Sequence, residues 1–416
     1  MADSPRGDAQ SSGTPFARRT EFVVLIILSL VNGVVALDRL AVNFLSPFIV
    51  HDLGLNNTQL GLLSSALSGA ISVSGLLFSA WADRTGRHKG VLVWVLVAFS
   101  LLSGGSGIAT GFAMLFAARL LLGVSEGPLI PIAQTIMGAA SHPPRRGFNM
   151  GAMQMSGSFL IGAMLGPLVM VRLAEAVGWQ HAFFVSAVPG LVIAALVALF
   201  VPQMRALGYH APQAAQAEPP PSIWAVLGSR NQLICMAIAA IFTAWLTIQN
   251  VFMPRYLTET IGHSNDTMSW LLSLSGFGGL AGGFVLPFLS DMFGRKPLAI
   301  GGGIFALLVP IALLVVPHDA VLLGALLALG GMAVGYAPII LAVIPSESVA
   351  PARVATAVAL SFSSAELLGG MCSPPIAGWA ADNWGLRAPF YLDIACAVIC
   401  ALLALALRET APRRSR

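Results

Sequence analysis

The sequence predicts an all-α membrane protein in which twelve transmembrane helices form two pseudo-symmetric six-helix bundles. Three observations carry this prediction. Of the 416 residues, 56% are hydrophobic and 10% are charged, where a soluble domain has about 45–50% and about 25%. Apolar runs near the length needed to cross a bilayer, about 20 residues, recur twelve times along the chain. A loop pattern that follows the second run returns after the eighth, 208 residues further on.

The runs fall at 20–46, 58–81, 90–109, 112–138, 147–171, 182–202, 230–253, 267–289, 297–316, 320–343, 354–379 and 387–407. Residues 1–19 form a polar amino-terminal tail ending Ala17-Arg18-Arg19. The run behind it is too long for a signal-peptide core and has no clear cleavage site, so the tail reads as retained. Residues 20–202 make the amino-terminal bundle and 230–407 the carboxy-terminal one. Between them, 203–229 is a linker rich in Ala, Gln and Pro, including Glu218-Pro-Pro-Pro221, which lacks the apolar content for a core. Residues 408–416 are a short tail. Of the 22 Lys and Arg residues, Arg39 and Arg119 lie inside spans; only Arg172, Arg255 and Arg387 fall on the side opposite the termini. Because basic residues prefer cytoplasmic loops, both termini and the linker are expected in the cytoplasm. The compact loops suit a bacterial inner membrane.

The repeated loop reads Gly75-Leu-Leu-Phe-Ser-Ala-Trp-Ala-Asp83-Arg-Thr-Gly86-Arg87 and, in the second half, Gly283-Phe-Val-Leu-Pro-Phe-Leu-Ser-Asp291-Met-Phe-Gly294-Arg295. The glycines admit close helix contact. Asp83 and Asp291 are placed to cap a neighbouring helix and to pair with Arg87 and Arg295, forming a conformational latch expected to hold an outward-facing state. Glu347, just beyond span 10, is positioned to pair with Arg295 or Arg353. Gly127-Pro128, Gly166-Pro167 and Pro374-Pro375 lie inside spans 4, 5 and 11, where they mark bends or close contacts.

Charges within spans are the strongest functional signal, since each costs roughly 2.5–3.5 kcal/mol at a helix centre. Span 1 carries Asp38-Arg39 and span 4 carries Arg119 and Glu126. Adjacent residues point about 100° apart on a helix, so Asp38 and Arg39 each need a partner elsewhere. Arg119 and Glu126 are about two turns apart and share a face, expected to line a cavity. Arginine stays charged and matches a carboxylate or phosphate with its fork. A buried carboxylate favours its neutral form and so loads and releases protons. Arg39 or Arg119 is therefore the expected substrate anchor, and Asp38 and Glu126 are the proton carriers. In the second half the position 208 residues after the Asp-Arg pair holds Leu246-Thr247, with Gln249 and Asn250 nearby. Glu366 sits midway along span 11. Gln249, Asn250 and Glu366 are assigned to substrate binding, with Phe242, Trp245, Phe252, Trp270, Phe277, Tyr336 and Phe362 mostly packing or lipid-facing.

The doubled Gly-x(7)-Asp-x-x-Gly-Arg loop, with Arg119-x-x-x-Gly123 and Gly162-x-x-x-Gly166-Pro167, resembles the signature of the major facilitator superfamily. The resemblance covers the whole chain and implies the major facilitator fold, with two halves rocking about a midplane site. The Asp38-Arg39 pair and Arg119-x(6)-Glu126 are similar to the anion:cation symporter branch, as are Asp52-Leu-Gly-Leu and Gly178-Trp179-Gln180-His181. That branch implies proton-coupled symport of a small organic anion, such as a sugar acid or aromatic acid. The same charges occur in the Spinster branch, which implies a lipid or drug exporter, and a transporter-like sensor shares the fold. The motifs do not separate these readings. Histidines are scattered, the four cysteines (Cys235, Cys372, Cys396, Cys400) form no CxxC pair, and no nucleophile-base pair or phosphate loop is visible. An enzyme, a metal site and a cofactor other than the coupling proton are not expected. The expected partners are an organic anion, the proton and the bilayer, with no nucleic acid and a monomeric chain.

Overall fold

The computed structural model describes residues 15–203, 223–350 and 353–411. The predicted tail before residue 15, linker residues 204–222 and residues 412–416 lie outside the described residues. Helices joined by turns make up the described chain, with no strand among the described residues.

The first half contains α1 (Pro15–Phe44), α2 (Asn57–Thr85), α3 (His88–Ile108), α4 (Phe112–Ala140), α5 (Arg146–Val177) and α6 (Trp179–Phe200). The second contains α7 (Arg230–Thr260), α8 (Asn265–Phe293), α9 (Arg295–Val315), α10 (Ala320–Glu347), α11 and α12 (Ala388–Leu405). Eleven of these are long and apolar enough to cross a membrane. The eleventh predicted span, α11, is built in pieces: Val354–Ser364, a π-helical stretch Ala365–Met371, a turn at Cys372, and Ser373–Trp384.

Proline explains the break. Lacking an N–H, proline removes an i→i−4 bond and crowds the preceding turn. A π turn absorbs the disruption by lengthening the hydrogen-bond step. Ala365–Met371 ends just ahead of Pro374-Pro375, and in α5 the π stretch Ser156–Leu165 runs up to Gly166-Pro167. In α10, Ile339–Val343 ends two residues before Pro345. The Gly-Pro and Pro-Pro pairs thus mark irregular helix at mid-span, where it lies against protein rather than lipid.

The halves meet along two seams, α2 against α11 and α5 against α8. Close approach requires glycine at both: a Cβ on Gly61 would collide with the Pro374 carbonyl, and one on Gly276 with the Ala163 backbone. Among the described residues, the polar contacts that join the halves lie toward the end opposite the termini or at mid-depth. Asp382 of α11 accepts from Asn57 N (2.8 Å), Thr58 N (2.9 Å) and Thr58 Oγ1 (2.6 Å) at the amino end of α2. Arg255 donates to Asn57, Asn265 donates to Glu175 (2.9 Å), and Ser65 donates to the Met371 carbonyl (2.5 Å). This far end is sealed.

At the terminal end the second-half loop forms a network within its own half. Arg295 pairs with Asp291 (2.5 Å) and Glu347 (3.0 Å), and Thr410 donates to Glu347 (2.6 Å). The expected capping by Asp291 is not what forms. Glu409 instead accepts from Arg295 N (2.8 Å) and Lys296 N (3.1 Å) at the start of α9, because the chain beyond α12 folds back over that helix end. In the first-half loop Arg87 is exposed; the Asp83 side chain lies outside the described residues.

Candidate functional site

The four intramembrane charges of the first half pair crosswise between α1 and α4. Arg39 binds Glu126 through Nε (2.7 Å) and Nη2 (2.7 Å), and Arg119 Nη1 reaches Asp38 Oδ2 at 3.5 Å. The geometry follows from helix periodicity: Asp38 and Arg39 diverge around α1, while Arg119 and Glu126 lie on one face of α4 at two levels. Each α4 charge therefore meets a different member of the α1 pair.

The two pairs differ in environment. Asp38 and Arg119 are sealed, with side chains 2% and 1% exposed. Ser103 of α3 donates to Asp38, Arg119 Nη2 donates to Ser106 (3.4 Å), and the guanidinium lies 5.3 Å from the centre of the Phe183 ring. Arg39, by contrast, is 34% exposed over a fully buried Glu126. Its Nη1 also lies 3.9 Å from Glu366, which is 32% exposed. The expectation that the Arg119–Glu126 face lines a cavity is thus corrected: in this state Arg39 and Glu366 face open space, and Arg119 and Glu126 are covered because α1 and α3 pack over them.

Arg39 therefore joins two carboxylates on different helices: it touches Glu126 within its half and Glu366 across the seam. Glu126 Oε2 and Arg119 Nε are buried with no hydrogen-bond partner. The cluster is thus not saturated, and a change in one partner leaves another buried charge exposed to the low dielectric.

The second-half candidates separate. Asn250 is half-buried, whereas Gln249 is 4% exposed and turned toward Asp393 of α12. Asp393 had escaped the reading of the sequence, although a lone carboxyl inside the apolar run 387–407 was signal enough. Phe242, Trp245 and Tyr336 stack together as core, Phe242 lying 5.1 Å from each ring, whereas Trp270, Phe277 and Phe362 are exposed on the helix surface. Glu347 takes the Arg295 partnership of its two alternatives. Two apolar crevices open between helices elsewhere. One, of about 360 Å³, lies among Leu25, Leu30, Leu160, Leu280 and Phe284 of α1, α5 and α8, and neither Arg39 nor Glu366 lines it.

Fold and charge pattern together define a membrane transporter. The Major Facilitator Superfamily profile matches residues 28–252 and 246–416. The chain belongs to that superfamily. It is 32% identical to the hexuronate transporter of Bacillus subtilis (strain 168) over 284 residues, 66% of either chain. It is 24% identical to the cis,cis-muconate transport protein of Acinetobacter baylyi over 399 residues, covering 93% of this chain and 94% of that one. Among solved structures, a bacterial homologue of the human lysosomal transporter Spinster in an inward-facing conformation superposes with a TM-score of 0.77 at 16% identity. That match covers 93% of this chain and 96% of the other. At that identity the match speaks for the fold alone.

Proposed function

We propose that the protein is a proton-coupled symporter for a small organic anion, working by alternating access, with Arg39 as the anchor and Glu126 and Asp38 as proton carriers. The observation that supports this most is the position of Arg39, paired with a buried Glu126 and one-third exposed beside Glu366. A carboxylate entering from the open space competes with Glu126 for the guanidinium fork. If it wins, Glu126 is left buried without its cation, which costs several kcal/mol unless it takes up a proton. Protonation of Glu126 in turn frees Arg39. Anion and proton therefore favour each other's binding, and linkage makes the effect reciprocal. Asp38 and Arg119 form the deeper pair, responding when the halves rearrange.

Two features support the solute class: the cation–carboxylate chemistry of Arg39, and relatives named for hexuronate and cis,cis-muconate transport. With the termini in the cytoplasm of a bacterial inner membrane, the sealed far end makes this the inward-facing state. Gln249 shapes the second half from behind the cavity, and Asn250 and Glu366 contact the polar groups of the solute. Asp291 and Arg295 act as the latch of their half, and Asp83 and Arg87 as its counterpart.

The test is uptake of D-glucuronate into proteoliposomes containing the full chain. Arg39→Ala is expected to abolish uptake and Arg39→Lys to lower it at least about tenfold, since an ammonium gives a point contact in place of a fork. Undiminished uptake by Arg39→Ala would exclude the anchor role. A second reading, export of an amphiphile, draws on the apolar crevice between α1, α5 and α8. It predicts transport of a lipid-like probe that survives Arg39→Ala.

A further inference from the structure

The carboxy-terminal half holds a buried acid that the anion cycle described above does not use. Asp393 lies in the first third of α12, is 0% exposed, and both of its oxygens lack a hydrogen-bond partner. Gln249 of α7 is the side chain placed to donate to it, although its buried Nε2 lies outside ordinary hydrogen-bond geometry, and Cys396 stands one turn along α12. Among the described residues, no cation approaches from the other packed helices. On α9, Arg295 and Lys296 are held at the terminal end by Glu347 and Glu409. On α11, Asp382 is bound to α2, and Glu366 lies by Arg39. A bare carboxylate in such a place is far costlier than the neutral acid.

The repeat shows that this place in the fold is not arbitrary. Gly178 and Gly385 precede α6 and α12, and both adopt left-handed backbone, at φ 85° and 82°. Eight residues after each come Ser186 and Asp393. In the first half Ser186 Oγ lies 3.4 Å from Ser103 Oγ, which donates to Asp38. The station on α6 is thus part of the wall of the Asp38 site. In the second half the same station carries the carboxyl itself, and α7, the counterpart of α1, supplies Gln249. The halves have kept a buried acid where their first and sixth helices meet but have exchanged the helix that bears it.

We propose that Asp393, facing Gln249, is a further proton-binding site beside Glu126 and Asp38, loaded in the conformation seen here and discharged when the halves rearrange. It holds a proton as the neutral carboxylic acid; discharge breaks the O–H bond, leaves the electron pair on Asp393, and passes the proton to water. The proposal rests on the proton-coupled reading and adds to it that the carboxy-terminal half carries a proton as well.

Infrared difference spectra of the full chain in lipid, exchanged between H2O and D2O at neutral pH, report protonated carboxyl groups without any solute. A C=O band present in the wild type and missing from Asp393→Asn and from Asp393→Ser, the residue at the matching first-half station, supports the proposal. Spectra identical to wild type in either folded variant overturn it. In proteoliposomes, Asp393→Asn is expected to keep D-glucuronate counterflow and to accumulate about tenfold less per unit of pH gradient, because each coupled proton contributes a factor of about ten per unit. Accumulation equal to wild type also overturns it. If the wild type carries no D-glucuronate, the function proposed above fails, while the infrared result stands by itself.

Discussion

At the residue scale, the site is governed by which of its charges water reaches. Arg119 has a single carboxylate partner and is sealed from solvent, so truncating it leaves Asp38 as an unpaired buried charge. Arg119→Ala is expected to destabilise the protein by about 3–5 kcal/mol. Arg39→Ala also strands the buried Glu126, but solvent reaches the space its guanidinium vacates and Glu126 takes up a proton there, so the effect is expected to be smaller. Thermal melts of the two purified variants compare them directly, and equal melting temperatures would mean that the inner pair is not the structural one. The sequence made these four charges legible, since ionised groups in a 20-residue apolar run have few explanations. It also implied that Asp38 and Arg39 have separate partners. It did not show who pairs with whom, because that depends on how α1 crosses α4. Nor did it place Glu366 beside Arg39, a contact made only across the seam between halves. Asp393 was within reach of the same rule and shows that the rule applies to every span, not only those with familiar motifs.

At the element scale, prolines and helix ends decide the shape of the path. The π stretches ahead of Pro167 and Pro374 were legible only as bends and the one ahead of Pro345 not at all, since one-residue shifts in hydrogen bonding leave no compositional trace. The end of α12 offers a sharper test. Glu409 is pushed up by partial burial, but the backbone N–H groups of Ala411, Arg295, Lys296 and Thr410 outweigh that and hold it below the ordinary carboxylate range. A depressed folded value means that the strap over α9 is fully formed above the unfolded value of about 4.3. It is lost as pH falls through the lower folded value. Amide protection relative to the intrinsic exchange rate at the start of α9 is therefore expected to be flat from neutral pH down to about 5 and to fall only in stronger acid. Glu409→Gln is expected to give fast exchange at neutral pH. Protection falling between pH 7 and 6 would contradict the assignment. The sequence missed this strap because it looked for the cap within the motif, at Asp291.

At the scale of the whole molecule, the two halves share a scaffold and differ in charge. The first carries both arginine–carboxylate pairs, and the second supplies Glu366, Asn250 and a buried acid without a cation. The seal at the far end depends on backbone contact between α2 and α11. Gly61→Val puts a branched side chain against the Pro374 carbonyl. It is expected to lengthen the distance between spin labels on the far ends of α2 and α11 and to shift the protein toward the opposite conformation. An unchanged distance distribution would show that the seam has slack. Which state the chain adopts was not legible in the sequence, since both states use the same apolar faces.

The central claim is that anion and proton exchange places around Arg39 and Glu126. Glu126→Gln tests it most directly, as an amide of the same shape that neither repels an anion nor carries a proton. In proteoliposomes holding a pH gradient, the variant is expected to exchange D-glucuronate across the membrane while accumulating about tenfold less of it per unit of pH gradient than the wild type. Accumulation as steep as that of the wild type would contradict the account.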